Sequence, residues 1–195
     1  LGKELIVESR CEQLTEEKLA WATSINPTFT VAIGLEAYDD EVLRFHVNKG
    51  FTTKSWDRAV ANLSKFNLRI KTYLMFKPPF MSEADALDHS VKWISAVAER
   101  SDEISVNPMN IQRGTVIDRL HRHNEYRPPW LWSLVEMIRQ AHPYIHPEGG
   151  INGDSGQVAR LIVHPTAGGK IRGSHNCGSC DGEVVAAIER YAVSG

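Results

Sequence analysis

Near the carboxyl end of the chain, two cysteines and a histidine stand close together in His175-Asn-Cys177-Gly-Ser-Cys180. Thiolates separated by two residues can wrap one tetrahedral ion, and a neighbouring imidazole completes the kind of donor set that zinc takes. His164, at the end of an apolar run, is the expected fourth ligand, with His142 and His146 as alternatives. The same spacing also suits a redox pair, and it occurs in tight turns whose cysteines merely pack. The stretch from His142 to Asn176 is rich in glycine and proline and poor in apolar residues. A bound zinc would explain why it orders against its conformational entropy.

Carboxylates form a second group. Glu8 closes the apolar run Leu5-Ile6-Val7, and Glu36 closes Phe29 to Leu35. Parallel strands align such ends on one rim, where a carboxylate accepts hydrogen bonds from ribose hydroxyls or an amino group. Lys49, in Val47-Asn48-Lys49-Gly50, offers the opposite charge. Each has a plainer reading, the acids as solvated strand ends and the lysine as a helix-terminal cation before a glycine cap. Asn107, Asn110, Gln112 and Arg113 follow a later strand and are expected at the same mouth, against substrate. A third group mixes Arg113, Arg119, Arg122 and Arg127 with Tyr126, Trp130 and Trp132. Such mixtures bind RNA through phosphate contacts and stacking; alternatively the tryptophans pack inside and the arginines are solvated.

The elements that must position these residues alternate between periods. Phe29 to Leu35 and Leu68 to Phe76 are β-rich, and between them Trp56, Ala59, Val60, Leu63 and Phe66 recur at helical spacing. This is a strand–helix–strand unit, parallel by default with a right-handed crossover. Leu5 to Glu8 and Glu103 to Val106 add strands. Thr15 and Ser82-x-x-Asp85 read as helix caps, and Asp39-Asp40-Glu41 as the start of a helix ending near Gly50. Four such units predict an α/β fold with a parallel sheet. Past Gly114 the pattern changes: Pro128-Pro129 precedes a helix with Leu131, Leu134, Val135 and Ile138, Gly149 to Gly156 is a loop by composition, and Ala159 to His164 is a possible strand. A helix bearing Val184, Val185, Ile188 and Tyr191 closes the chain.

With 195 residues and 42% hydrophobic content, the chain can bury one core. A formal charge of −2 does not advertise a nucleic-acid binder. No apolar run approaches the ~20 residues that cross a membrane. Three cysteines are a poor disulfide framework, which points to a reducing cytoplasmic setting. Because it opens on Leu1-Gly2, the chain is read as a piece of a longer protein.

The run AIGLEAYDDEVLRFHVNKGFT, then IKTYLMFKPPF, resembles the middle of radical SAM enzymes of the Elongator-subunit-three-like group. NPMNIQRGTVIDRL, EYRPPWLW and HNCGSCD resemble, within that group, the archaeal radical SAM subunits that take part in archaeosine synthesis. The resemblance implies a partial (β/α)6 barrel, here strands three to six in residues 1–114, with a C-terminal substrate-side extension in 115–195. It implies cofactor contacts to S-adenosylmethionine by Glu8, Glu36, Lys49 and Thr72, and it makes Tyr126 and Arg127 candidate substrate contacts beside the four polar residues above. Implied too are a [4Fe-4S] cluster, a tRNA substrate and a partner archaeosine synthase subunit. The expected reaction of the full enzyme is radical C–N cleavage converting a lysine-adducted deazaguanine in tRNA to archaeosine. The family's Cys-x3-Cys-x2-Cys cluster loop is absent from these residues, so the chain alone is expected to be inactive. A reading of another class is a non-catalytic zinc-binding module that grips RNA or a protein.

Overall fold

The computed structural model describes residues 4–147 and 158–194; the glycine-rich stretch 149–156 lies outside them. Five strands run in chain order across one sheet: β1 (Ile6–Ser9), β2 (Thr30–Glu36), β3 (Arg69–Phe76), β4 (Glu103–Pro108) and β5 (Arg160–Val163). All four pairings are parallel. Helices α1 (Glu16–Ile25), α2 (Thr53–Lys65), α3 (Glu83–Ala98), α4 (Val116–Arg122), α5 (Leu131–Ile145) and α6 (Asp181–Ser194) fill the connections.

Local chemistry sets the boundaries. The Thr15 hydroxyl accepts from Lys18 N–H at the start of α1, and the Ser82 hydroxyl does the same for Asp85 N–H at α3. In α2 the buried residues are Trp56, Ala59, Val60 and Leu63, one stripe of the helix. In β3, Ile70, Thr72, Leu74 and Phe76 are buried while Lys71, Tyr73 and Met75 are half-buried, the two-residue alternation of a strand with two different faces. The helix expected from Asp39 to near Gly50 is present with π-type winding over Val42–Val47, opened by Asp39 Oδ1 and stopped by Asn48 in the left-handed region (φ 54°).

Strands that follow one another in both sequence and space, with crossovers of one hand, put every helix on the same side. The core bears this out. It takes Val31, Ile33 and Leu35 from β2, Ile70, Leu74 and Phe76 from β3, Ile104 and Val106 from β4, and Leu161 and Val163 from β5. Side chains from α1, α2, α3, α5 and α6 complete that single cluster. The alternate positions, Ala32, Gly34, Lys71, Tyr73, Ser105 and Ile162, form the opposite face, which would line the inside if the sheet curled into a closed barrel. The architecture is thus a partial (β/α) barrel. Its sheet does not stop at Gly114, because β5 pairs with β4, and α5 and α6 pack in the same core as α3.

Candidate functional site

The inner face opens, at the carboxyl ends of β1 to β4, into a cavity of about 610 Å³. Its walls are Glu8, Ser9 and Arg10 after β1, Ala32, Gly34 and Glu36 from β2, Lys49, Tyr73 of β3 and Asn107 of β4. The expected carboxylate rim therefore exists, and it carries two cations.

Backbone strain builds its centre. The β2–β3 register shifts between Gly34 and Glu36, and Glu36 itself sits at φ 72°, a conformation costly for a side-chain-bearing residue. This re-aims the carboxylate. Asn48 at φ 54° and Gly50 at φ 81° bring the chain back, with Lys49 N–H donating to Leu43 C=O at 2.8 Å. Lys49 Nζ then reaches Glu36 Oε1 at 2.9 Å, with both side chains only about a fifth exposed (17% and 21%). Gly34 permits this: a Cβ there would lie 3.1 Å from both Glu36 Oε1 and Lys49 Nζ. Lys49 Nζ also lies 5.7 Å from the Phe51 ring centroid, and the Arg10 guanidinium 5.6 Å from it.

On the neighbouring strands, the Tyr73 hydroxyl donates to Glu8 Oε1 at 3.2 Å, and burial pushes the Tyr73 phenol above its ordinary pKa. Arg10 donates to Glu12 Oε1 at 2.8 Å and to Lys49 C=O at 3.1 Å; the Glu12 carboxylate raises the Arg10 pKa. Deeper on the same face Lys71 and Arg160 flank Glu103, a charged floor. The site thus offers two carboxylates and two cations around an aromatic hydroxyl. That arrangement suits a ligand with hydroxyl or ammonium donors at one end and a carboxylate at the other.

Of the predicted cofactor contacts, Glu8, Glu36 and Lys49 meet here and Thr72 does not. Thr72 is fully buried on the helix side of the sheet, its hydroxyl 2.8 Å from that of Ser101. The inward residue is its neighbour Tyr73, directly opposite Gly34. Among the predicted substrate contacts only Asn107 lines the cavity. Gln112 and Arg113 are exposed beyond β4, and Gln112 donates to Asn110 Oδ1 at 2.6 Å. Tyr126 is buried against Ile111 and Ile117, and its hydroxyl donates to Lys77 C=O at 2.8 Å. Arg127 is half-buried, its guanidinium 3.3 Å from the Trp130 ring centroid and donating to His175 C=O. These hydrogen bonds tie the segment before α5 to Lys77 and to His175. Trp130 and Trp132 do remain exposed (41% and 55%).

Sequence reading missed Arg10, Ser9, Tyr73 and Lys77. Arg10 had a usable signal, two positions after Glu8. Lys77 is 7% exposed at φ 58°, paired with Glu83 Oε2 at 2.7 Å and donating to Arg127 C=O at 2.9 Å.

The zinc expectation needs correction. Among the described residues, no three or more His, Cys, Asp or Glu side chains are placed to hold a metal ion, so His175, Cys177, Cys180 and His164 do not converge. The turn is ordered by other means. Asp181 accepts from Asn176 N–H and Gly178 N–H, both at 3.1 Å, and the His175 ring turns to Gly173 C=O at 2.8 Å. Upstream, Ile111 N–H donates to Arg172 C=O at 2.8 Å and Arg172 Nη2 meets Asp118 Oδ1 at 2.6 Å. Of the alternative ligands, His142 and His146 stack on each other with centroids 4.5 Å apart.

A polar cavity at the carboxyl ends of parallel strands, on a sheet whose main core lies under its helices, defines the class: a partial (β/α) barrel. The archaeal Methanocaldococcus infernus Elp3 with residues 1–46 deleted has the same fold, with a TM-score of 0.69 at 16% identity over 98% of this chain and 42% of that one. No family model matches the sequence. The chain is 36% identical over 192 residues to archaeosine synthase subunit beta of Methanosarcina acetivorans, covering 97% of this chain and 52% of that protein. It is also 36% identical over 177 residues to the Thermococcus kodakarensis subunit of the same name, covering 90% and 51%. The chain is therefore similar in sequence to archaeosine synthase subunit beta and spans about half the length of those relatives. No described helix is long and apolar enough to cross a membrane.

Proposed function

We propose that the chain is the S-adenosylmethionine-binding half, with a substrate-side extension, of a radical SAM enzyme that forms archaeosine in tRNA from a lysine-adducted deazaguanine. The observation that carries this is the meeting of Glu8, Glu36, Lys49 and Arg10 in one cavity of a chain similar in sequence to archaeosine synthase subunit beta. The donor set fits the cofactor: Glu36 and Glu8 accept from ribose hydroxyls and an ammonium, while Lys49 and Arg10 face a carboxylate. When bound, the cofactors supply the radical C–N cleavage chemistry, and protein groups supply binding and orientation.

Lys49 and Glu36 hold each other in place before a ligand arrives, which lowers the ordering cost of binding. The Tyr73 hydroxyl keeps Glu8 turned towards the cavity. Exposed Trp132, and Trp130 with Arg127 stacked on its ring, support a tRNA-facing rim, since aromatic and guanidinium planes stack on splayed bases. The name of the relatives, subunit beta, supports a partner subunit. Cluster-binding cysteines must come from sequence beyond these residues.

Calorimetry with S-adenosylmethionine on the cluster-loaded full protein tests the reading. Glu36→Ala and Lys49→Ala should each weaken binding at least about tenfold, the loss of one charge-assisted contact. Unchanged affinity in both variants, with the fold intact, refutes it. Formation of archaeosine from lysine-adducted tRNA tests the reaction itself.

A further inference from the structure

Beyond the cavity wall, the outgoing loop of β4 carries a small platform of its own. Ile111, Ile117 and Tyr126 form a hydrophobic cluster apart from the main core, with Met109 and Leu120 packed against it. Ile117 and Leu120 turn one side of α4 inward, so Arg119, Arg122 and His123, three and four residues apart, share the exposed side. The platform is fastened to the outgoing loops of both flanking strands. The Tyr126 hydroxyl donates to Lys77 C=O after β3, and Ile111 N–H donates to Arg172 C=O after β5. It therefore stands at the carboxyl end of the sheet, the end at which Asn107 of β4 lines the cavity.

Charge is segregated here. The whole chain carries a formal −2, yet residues 113–127 hold four arginines against two acids, Asp118 and Glu125. Asp118 is buried and both of its oxygens are occupied. Oδ2 accepts from Gly114 N–H at 3.0 Å and Arg122 Nη2 at 2.6 Å, and Oδ1 accepts from Arg172 Nη2 at 2.6 Å. Two guanidiniums on one carboxylate leave a positive remainder, and Arg122, its side chain 67% exposed, commits only Nη2 to that bond. Among the described residues, Arg113 and Arg119 are exposed and pair with no carboxylate. Arg119 and Arg122 repel each other across one turn, a cost with no acid beside Arg119 to offset it. Between Gly114 and His123 the surface is concave, a cleft of about 530 Å³ that Arg119 and Arg122 help to wall.

We propose that this cleft grips the backbone phosphates of the RNA strand whose base enters the cavity, through Arg113, Arg119 and Arg122. The inference rests on the tRNA half of the proposed function and is independent of its cofactor half. A guanidinium presents a fork of N–H donors that matches two phosphate oxygens, and each phosphate neutralised releases condensed counterions. Exposed Trp130 and Trp132 follow on the same outgoing loop, so phosphate contacts and base stacking share one rim. Phosphate contacts fix register and orientation without reading sequence, which leaves the choice of base to the cavity.

The test is fluorescence anisotropy of a labelled tRNA transcript with the full protein, repeated across KCl concentrations. The double variant Arg113→Ala/Arg119→Ala should bind about tenfold more weakly near physiological salt. Its slope of log affinity against log salt should be shallower by about 1.4–1.8, the share of two phosphates. Because neither side chain is in an ion pair, the thermal unfolding midpoint should stay at the wild-type value; Arg119→Gln alone, with about half the change in slope, serves if it does not. Arg119→Lys keeps the charge and should keep the slope. Arg58→Ala removes an exposed cation from α2, on the helix side of the sheet, and should change neither quantity. An equal fall in that variant means net charge and not a site, and overturns the proposal. A full protein that binds the transcript with a slope the double variant leaves unchanged overturns this site alone and leaves the proposed function standing. One that binds no tRNA at low salt refutes the tRNA reading and the site with it. Unchanged tRNA affinity with loss of polyglutamate binding in the double variant also overturns the site, by giving the face to an acidic protein.

Discussion

Lys49 Nζ lies 2.9 Å from Glu36 Oε1, directly over the Cα of Gly34. The pair is shielded enough for its attraction to exceed that of an exposed ion pair, and it holds both groups at the cavity wall without locking them away. Gly34→Ala puts a methyl 3.1 Å from each charged atom. Since those atoms end flexible side chains, the fold should survive with a stability loss within about 1 kcal/mol. The ion pair should splay, and S-adenosylmethionine affinity should fall with it. Thermal denaturation beside calorimetry separates the two effects.

Glu36 holds a left-handed backbone, φ 72°, that glycine adopts without penalty. Glu36→Ala and Glu36→Gly both delete the carboxylate, yet only the glycine relieves the strain. The glycine variant is expected to be more stable than the alanine variant by about 1 kcal/mol. At an ordinary strand position the order is reversed. Urea denaturation of the two variants gives the sign directly.

Asp118 is buried and its carboxylate is held by Gly114 N–H, then by Arg172 and Arg122, which drops its pKa from 3.8 to about 2. A folded-state value below the unfolded one gives stability that is present above pH 4 and lost as the pH falls towards 2. Glu136, also lowered to about 2 by Arg139 and Gln140, acts in the same window. The comparison with Asp118→Asn isolates the first group: the variant should be less stable at neutral pH, and its acid-induced loss shallower. Denaturation midpoints between pH 2 and 6 check this.

Lys77 is nearly enclosed by Glu83, the Arg127 carbonyl and the Tyr126 ring. Lys77→Met leaves Glu83 without its cation and should cost about 2–3 kcal/mol, less than a fully buried pair because Glu83 keeps 24% exposure. Adding Glu83→Gln should recover part of that loss. A double variant no better than the single one would show that Lys77 acts mainly through the Arg127 carbonyl. Equilibrium unfolding in urea measures all three proteins.

Much of the frame was legible because it is local. The period of two in β3, the stripe of α2 and the caps Thr15 and Ser82 each follow from a few neighbouring residues. The meeting of Glu8 with Glu36 was legible too, since parallel strands in chain order bring their carboxyl ends together whatever the details. Pairing parity was not. Thr72 and Tyr73 differ by one position, and only the Gly34–Tyr73 register decides which faces the cavity, because a one-residue slip turns every side chain of a strand over. Lys49 becomes a partner of Glu36 through two left-handed residues: Asn48, which takes that conformation readily at a helix end, and Glu36, whose conformation tertiary packing imposes against its intrinsic preference. In the His175–Cys180 turn the residue types allow metal, redox and packing roles alike. Only the tertiary structure shows Asp181 satisfying Asn176 and Gly178 there, with the His175 ring turned to Gly173 C=O. Composition and spacing fix what groups are available; which of them meet is settled by contacts between residues far apart in the chain.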